Sequence, residues 1–342
     1  MKTSHNFCIA FLLWVYIVLV LVWFFTYLGF GDRFALLAVV NMLAVYLFYP
    51  LPLVIILTVI LKNKRLWIGI IAVFLIFVGL WGGLYIPKGK AAHAYPAQNG
   101  FLSVMSYNLL GWQFNTDVQI ETIRQENADI VMLQELNLDM AEALRSQLRG
   151  IYPYQILNPQ DDVSGMGIIS RYPLASTGQS IEAEKWVGEP QVISLEWQGK
   201  QITLINMHLL PTNDFSPRRV TITNRIQREQ ARVIAEFARG KDAVIIGGDT
   251  NVTPLSDAYK IFTSDLIDSW REAGFGLGHT FPGSNIPGSA RPEIFGVPCP
   301  KWLVRIDYIF HSNRWQALSM HTAPFDGVSD HRGIVALLDW IE

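Results

Sequence analysis

Three long apolar runs without a charged residue occupy most of the first 86 positions of this chain. They cover residues 7–30, 34–61 and 66–86. The first run would extend about 36 Å as a helix, more than the roughly 30 Å apolar core of a bilayer. A signal peptide or buried core helices are the alternatives, but soluble sequence would follow a signal peptide. The runs therefore predict three transmembrane helices, the second of them kinked at Pro50 and Pro52.

Basic residues flank these runs unevenly and predict the orientation of the anchor. Lys2 and the loop 62–65 fall on one side of the membrane, and the loop 31–33 falls on the other. Because cytoplasmic loops carry an excess of lysine and arginine, the first side is predicted to be cytoplasmic. Everything after the third span then lies outside the cytoplasmic membrane, although Lys88 and Lys90 argue against this orientation.

Residues 87–100 form a predicted linker, and residues 101–342 form the soluble domain. The 14 residues of the linker reach at most about 46 Å, so the domain stays near the bilayer. The domain carries 20 basic and 28 acidic residues, a formal charge of −8. This balance disfavours nucleic acid as the main partner, because non-specific nucleic-acid binding usually needs a basic surface. Cys8 and Cys299 offer no plausible disulfide or zinc site.

Strand-like apolar runs alternate with helix-like stretches in the soluble part. Strands are predicted at 102–107, 130–133, 166–170, 192–197, 202–207, 243–247, 304–310 and 334–338. Apolar residues at helical spacing indicate helices at 118–125, 140–148 and 225–237. This alternation predicts packed β-sheets with helices outside them, in a single α/β domain.

Polar side chains end three of these strands, at Asn108, Glu135 and His208. A glutamate at a strand end suits a hard cation such as Mg²⁺, because that ion prefers oxygen ligands. An imidazole at such an end can donate to phosphoryl oxygens, whose charge grows in a transition state. A turn asparagine, a solvated glutamate and a core histidine are the structural alternatives.

The segment 244–251 runs a buried strand into two glycines and then into Asp249 and Asn251. The glycines let the backbone turn tightly or approach a ligand closely. If the chain stays extended, both polar side chains point to one side, where a carboxylate can deprotonate or orient water beside an amide. A simple turn after a strand is the alternative.

Asp307 lies inside the apolar strand 304–310, where a buried carboxylate needs a partner. The segment 328–331 supplies one, since Asp330 and His331 interrupt the next apolar run. A pair of Asp307 and His331 would fix the imidazole tautomer and favour its protonated form. Asp330 could then ligate or orient a metal ion.

Read together, these motifs resemble the endonuclease/exonuclease/phosphatase superfamily, which includes DNase I-like nucleases, inositol polyphosphate 5-phosphatases and neutral sphingomyelinases. The matching segments are Tyr107-Asn108, Gln134-Glu135, His208-Leu209, Gly248-Asp249-Thr250-Asn251, Arg305-Ile306-Asp307-Tyr308 and Ser329-Asp330-His331. The resemblance covers residues 101–342 and not the anchor. It implies a DNase I-like, four-layer α/β sandwich with two central β-sheets and a Mg²⁺-dependent phosphoesterase site, with Mn²⁺ as the alternative ion.

The resemblance also implies which residues bind the ion. Glu135 would be the main metal ligand, with Asn108 and Asp330 nearby. Substrate contacts are a separate prediction from position alone, because the loop before the Asp307 strand is rich in glycine and proline. Within that loop Arg291 would contact phosphate and Trp302 an apolar chain, although a plain surface loop fits nearly as well.

Catalytic roles follow from the same resemblance. Asp249 and Asn251 would position the attacking water and the phosphate. His331, oriented by Asp307, would act as general base or bind the phosphate, so the residue that activates water stays open. His208 matches the second histidine of the DNase-like and sphingomyelinase-like branch.

The anchor and domain together are similar to membrane-anchored bacterial phosphoesterases such as the teicoplanin-resistance protein VanJ. This likeness implies a polyprenyl pyrophosphate carrier as the substrate. The sequence thus predicts a multi-pass, metal-dependent phosphoesterase acting on a phosphorylated, lipid-linked substrate. Monoester, diester and pyrophosphate cleavage stay open.

A tethered nuclease is the main alternative, and a non-catalytic binding module is the third. A nuclease could use a basic strip formed by Arg218, Arg219, Arg225, Arg228 and Arg232, unless these lie on a solvated helix face.

Overall fold

The computed structural model describes residues 2–88, 100–113, 115–283, 291, 293–294 and 296–341. Most of the predicted linker, residues 89–99, lies outside these ranges. Three helical segments are long and apolar enough to cross a membrane, at Asn6–Phe30, Ala44–Leu61 and Leu66–Tyr85. The prediction of three apolar helices before the soluble domain is therefore confirmed.

The second apolar run is divided and is not one kinked helix. The anchor consists of α1 (Lys2–Phe30), α2 (Ala35–Met42), a 3₁₀ helix (Ala44–Phe48), α3 (Leu51–Leu61), α4 (Leu66–Trp81) and a second 3₁₀ helix (Gly82–Tyr85). Within this run, the helical segment that is long and apolar enough to cross a membrane begins at Ala44, and α2, which precedes it, packs against α7 (Pro217–Arg239) of the soluble domain.

Two six-stranded β-sheets form the centre of the soluble domain. Its strands are β1 (Phe101–Asn108), β2 (Ile130–Gln134), β3 (Tyr154–Asn158), β4 (Met166–Ser170), β5 (Leu174–Ser176), β6 (Gly188–Trp197), β7 (Lys200–His208), β8 (Val244–Asp249), β9 (Ile267–Asp268), β10 (Glu293–Ile294), β11 (Val297–Pro298), β12 (Asp307–His311), β13 (Trp315–Thr322) and β14 (Ile334–Trp340). The first sheet has the order β13-β14-β1-β2-β4-β3, and the second has the order β5-β6-β7-β8-β12-β9. Strands β10 and β11 pair with each other.

Helices cover the outer faces of both sheets. Besides α7 they are α5 (Thr116–Glu126), α6 (Leu138–Gln147) and α8 (Asp257–Phe262). The short helix α9 (Ser269–Ala273) instead packs against β12 and β13, and its Trp270 and Ala273 join the core between the sheets. Alternate strand residues face opposite sides, so Val104 packs between the sheets whereas Met105 packs under α5 and α6. In the second sheet Ile245 faces inward and Ile246 packs under α7 and α8. The predicted four-layer α/β sandwich is confirmed.

Two parallel strand pairs bring the polar strand ends to one edge. β1 and β2 run parallel with Asn108 opposite Gln134, and β7 and β8 run parallel with His208 opposite Asp249. β12 pairs antiparallel with β8 and places Asp307 opposite Asp249. The carboxyl ends of four strands and the start of a fifth therefore converge.

A buried amide fixes the two sheets against each other below this edge. Asn206 of β7 donates from Nδ2 to the carbonyls of Leu133 at 2.9 Å and Gly167 at 3.0 Å, both in the opposite sheet. Gln134 of β2 donates back to Asn206 Oδ1 at 2.6 Å. Because each of these buried polar groups would be unfavourable without its partner, the contacts select one alignment of the sheets.

The soluble domain rests on the end of the helices that carries the loop 31–34. Tyr46 donates to the Leu303 carbonyl at 2.8 Å, and the Gly276 amide donates to the Leu84 carbonyl at 2.7 Å. The basic loop 62–65 lies at the opposite end, because α3 runs away from the domain and α4 returns to it.

A buried ion pair holds β12 to the segment before α9. Arg305 and Asp268 are about 2% and 3% exposed, and the guanidinium donates to both carboxylate oxygens at 2.9 and 2.7 Å. Tyr259 also donates to Asp268 at 2.6 Å. Bidentate geometry and a third donor compensate for the loss of water around the charges.

We predict that Asp268→Ala lowers the free energy of unfolding of the soluble domain by about 3 to 5 kcal/mol, because it leaves Arg305 buried and unpaired. Urea unfolding followed by tryptophan fluorescence measures the change. The double variant Asp268→Leu/Arg305→Met is the control and should recover most of the loss. Equal destabilisation by both variants would contradict this account.

Candidate active site

A cavity of about 590 Å³ opens where the strand ends converge. Its lining includes seven of the residues predicted from sequence, namely Glu135, His208, Asp249, Asn251, Arg291, Asp330 and His331. Asn108 and Asp307 lie buried beneath them. Trp302 does not line the cavity in the described part of the chain, because its ring packs on Arg332 and Phe325.

Glu135 follows β2 directly and turns into the cavity. The backbone of Glu135 has a φ of 55°, in the left-handed region. Residues other than glycine seldom adopt this conformation, and those that do are often found at functional sites. Its carboxylate accepts from Asn108 Nδ2 at 3.0 Å and from the Gly111 amide at 2.9 Å. Burial raises the pKa of Glu135 in spite of these donors.

Asn108 bridges the two sheets at the cavity floor. Besides Glu135, its Nδ2 donates to Asp249 Oδ2 at 3.0 Å, and its Oδ1 accepts the Leu110 amide at 3.0 Å. The amide nitrogen, which is a donor, is thus the atom turned towards the carboxylates. In this arrangement Asn108 orients the two carboxylates and its oxygen is already occupied.

The end of β8 needs glycine and then turns. A Cβ on Gly248 would collide with the Met207 carbonyl of the neighbouring strand, so only glycine fits there. Asn251 has a left-handed φ of 54°, and therefore the chain does not stay extended as the i, i+2 spacing required. Its backbone amide donates to Asp249 Oδ1 at 2.9 Å, and its side chain donates to the Leu209 carbonyl at 3.0 Å.

His331 and Asp307 form the predicted pair. Nδ1 of His331 lies 2.9 Å from Asp307 Oδ2, and Nε2 lies 3.7 Å from Asp249 and 3.9 Å from Asp330. Although burial disfavours the charged ring, the carboxylates of Asp307, Asp249 and Asp330 raise the pKa of His331 well above its usual range. A carboxylate on Nδ1 also fixes Nε2 as the atom that faces the cavity.

His208 is the second imidazole of the site and has the opposite charge preference. Its Nε2 lies 3.5 Å from Asp249 Oδ2 and 3.9 Å from Glu135 Oε1. Burial, reinforced by the charge of His331, lowers the pKa of His208 to about 3. The ring is therefore neutral near pH 7, so it adds no positive charge to offset the surrounding carboxylates.

Three carboxylates thus share the cavity floor, of which Asp249 is buried and Glu135 and Asp330 are half-buried. Burial raises the pKa of Asp249 to about 8, that of Asp330 to about 6 and that of Glu135 as well. Among the described residues no lysine or arginine hydrogen-bonds to any of the three. One atom each of Asp249, Asp307 and His331 also lies within 4.8 Å of the others, a spacing that can hold an ion. Hard oxygen donors with uncompensated charge fit a divalent cation.

The cavity walls include residues that sequence reasoning missed. Trp112, Asn213 and Glu293 line the cavity, as do the apolar side chains Leu110, Val163, Val187, Pro211 and Phe281. Trp112 is 60% exposed, unusual for a residue of its size. Phe281 and Glu293 lie in the glycine- and proline-rich region before the Asp307 strand, for which the sequence predicts substrate contacts, and Glu293 forms part of β10. The other positions lie in loops without a periodic pattern, so nothing in the sequence marked them.

Solved structures of low sequence identity share this fold. One is the endonuclease/exonuclease/phosphatase from Beutenbergia cavernae, with a TM-score of 0.53 and 18% identity over 70% of this chain and 72% of that one. Another is D. rerio TDP2 complexed with single strand DNA product, with a TM-score of 0.55 and 19% identity over 70% of this chain and 99% of that one.

Sequence comparison gives a curated relative and a family. The Caenorhabditis elegans protein named "Putative neutral sphingomyelinase" is 29% identical over 166 residues, which cover 42% of this chain and 37% of the relative. The chain therefore matches well under half the length of that relative. The profile of the Endonuclease/Exonuclease/phosphatase family matches residues 105–331, about two thirds of the chain and the whole set of strand-end motifs. The chain belongs to the endonuclease/exonuclease/phosphatase family.

Proposed function

We propose that this protein is a membrane-anchored, Mg²⁺-dependent phosphoesterase that acts on a lipid-linked phosphate or pyrophosphate. The observation that carries the proposal is the loop 211–215. Pro211 and Asn213 line the catalytic cavity, whereas their neighbours Thr212 and Phe215 line a crevice beneath α2. One loop therefore separates the cavity from the anchor, so a head group at the bilayer surface can reach the cavity.

The orientation of the anchor agrees with this proposal. The domain lies at the opposite end of the helices from the basic loop 62–65, as expected if that loop is cytoplasmic. The catalytic domain would then act at the outer face of the cytoplasmic membrane. The likeness to VanJ-type phosphoesterases supports a polyprenyl pyrophosphate as substrate, and the name of the C. elegans relative supports a phospholipid.

Charge around the cavity disfavours a long polyanion. Arg291 is the one lysine or arginine that lines the cavity within the described ranges, and it stands beside Glu293. Four arginines of the predicted basic strip are ion-paired: Arg219 with Asp214, Arg225 with Glu184, Arg228 with Asp32, and Arg232 with Glu229 and Glu236. A strip neutralised in this way offers little of the charge that non-specific DNA binding uses.

Glu135 and Asp330 would hold the metal ion, with Asn108 orienting Glu135 through its amide nitrogen. The bound ion would supply a Lewis acid that polarises the phosphoryl oxygen. We place the ion with these two carboxylates and not at His331, because the carboxylates around that ring raise its pKa and favour the protonated form, in which Nε2 carries a hydrogen and cannot bind a metal. Mn²⁺ has the same preference for oxygen ligands and is the alternative.

The remaining residues would accept the proton of the attacking water and stabilise the charge on the phosphate. Asp249, held by the Asn251 amide, would orient the attacking water and accept its proton. His331, paired to Asp307, would place a cationic Nε2–H against the phosphate. Neutral His208 would donate one hydrogen bond from Nε2 to a phosphoryl oxygen.

A tethered nuclease is the second candidate. D. rerio TDP2, whose fold this domain shares, was solved with a single strand DNA product. The exposed ring of Trp112 at the cavity wall could stack on a base as readily as it could contact an apolar chain. The acidic balance of the domain makes this the weaker candidate.

Substrate comparison tests the proposed function directly. We expect full-length protein with Mg²⁺ to release phosphate from undecaprenyl pyrophosphate in detergent and to leave plasmid DNA intact. Glu135→Ala should abolish the release, since it removes the main metal ligand. Nicked plasmid without lipid turnover would establish the nuclease instead.

Metal removal should stop the reaction reversibly. Chelation with EDTA is expected to abolish hydrolysis, and added Mg²⁺ or Mn²⁺ should restore it. Glu135→Gln should raise the half-saturating Mg²⁺ concentration by at least about 10-fold. Glu142→Gln, on the exposed face of α6, is the matched control and should titrate like the unchanged protein. Full activity in EDTA would refute the metal assignment.

The pair of Asp307 and His331 predicts a second kinetic effect. Asp307→Asn keeps the size of the side chain but no longer favours the protonated ring, so kcat should fall by roughly 10² to 10⁴. KM should change little, because Asp307 does not line the cavity. Steady-state kinetics separate the two constants. A change confined to KM would argue that the pair only binds substrate.

A further inference from the structure

Asp32, in the loop between α1 and α2, is a buried carboxylate of the anchor that contacts the catalytic domain. The residue is 5% exposed. Its Oδ1 accepts from Arg228 Nη1 at 2.9 Å, and its Oδ2 accepts from the Asp257 backbone amide at 3.1 Å. Its carbonyl accepts from the Asn224 side chain at 3.2 Å. One anchor residue is thus bound by both α7 and the first turn of α8.

The backbone beside Asp32 fits closely against the domain. Gly31 has a φ of +59°, and a Cβ there would collide with the Asp257 carboxylate, so the position requires glycine. Asn41 of α2 donates to the Gly31 carbonyl at 2.9 Å and accepts from the Trp23 indole at 2.9 Å. The anchor helices therefore fix the shape of the loop, and the domain fills the space around it.

The helix that binds Asp32 also holds the loops of the catalytic cavity. Gln227 of α7 donates to the carbonyls of Leu210 and Asn251 at 2.7 and 3.2 Å. Gln230, one turn later, accepts from the Leu210 amide at 3.1 Å. α7 therefore supports the anchor loop and two cavity loops at the same time.

A passive tether would not need such a contact. A carboxylate in a flexible loop would stay in water, because removing it from water is unfavourable unless partners replace the solvent. Here two helices, α7 and α8, supply partners to a single loop residue. Asp32 itself lies outside the family match, which starts at residue 105, whereas its partners lie inside it.

We propose that Asp32 is a positioning residue that seats the catalytic domain on the anchor and holds the mouth of the cavity at one height and tilt over the bilayer. This inference rests on the proposed function in one respect. A fixed mouth affects the turnover of a substrate held in the membrane and not of one that diffuses in water.

Charge reversal tests the proposal in full-length protein in lipid nanodiscs. Asp32→Lys sets a cation against Arg228, and Asp32→Lys/Arg228→Glu restores an opposite pair. Asp265→Lys is the matched control, since it breaks the 2.6 Å pair with Arg239 on the same helix, away from the anchor. Each variant is assayed on undecaprenyl pyrophosphate in the nanodisc and on water-soluble bis(p-nitrophenyl) phosphate.

We expect Asp32→Lys to lower turnover of the lipid by roughly 10-fold to 100-fold, because misplacement by an ångström can have effects of that size. Turnover of the soluble diester should stay within about 2-fold, and the double variant should recover most lipid turnover. Equal losses on both substrates, or lipid turnover equal to that of the Asp265→Lys control, would overturn the proposal.

A distance measurement separates this proposal from the proposed function. Spin labels replace the exposed Lys64 and Arg149 in a Cys8→Ser/Cys299→Ser background. One narrow distance distribution that broadens in Asp32→Lys supports the seating of the domain, even if no lipid is hydrolysed. A broad distribution without the Asp32 substitution would overturn it, even if lipid is hydrolysed.

Discussion

The buried amide of Asn206 is the contact on which the catalytic geometry depends. It donates to carbonyls of β2 and β4 from the opposite sheet, and so it fixes how the two halves of the sandwich align. Glu135 follows β2 on one side of this contact, and His208 lies two residues beyond it on the other. Because sheets that slid by one residue would leave these polar groups unpaired, the same interaction that stabilises the core also sets the spacing of the residues proposed to bind the metal and the phosphate.

Charge is distributed so that the cavity stays acidic and the helix beside it stays neutral. Burial raises the pKa of Glu135, Asp249 and Asp330, and neighbouring carboxylates raise it further, Asp307 for all three and Glu135 for Asp330. The arginines of α7 pair with acidic neighbours, one of them in the anchor. The domain therefore uses basic side chains for internal contacts, and a metal ion is left to attract the phosphate.

Much of the site could be predicted because apolar strands ending in polar residues mark one edge of a sheet. That rule predicts that Glu135, His208 and Asp249 lie close together, and all three line the same cavity. Other features depend on tertiary contacts that local pattern does not encode. The division of the second apolar run at α2 follows from packing on α7, and the turn at Asn251 follows from a left-handed residue. β13 was missed because its polar and apolar residues do not alternate regularly.

The position of β14 constrains how the protein is made. Residues 334–340 lie between β13 and β1, so one strand in the middle of the first sheet comes from the last part of the soluble sequence. His331 and Asp330 precede it directly. In the proposed orientation, β1 would emerge from the translocation machinery long before β14. The edge of β1 that pairs with β14 would stay unpaired during that time. Such an edge can pair with other chains, and export in this orientation would therefore expose the protein to aggregation until β14 emerges.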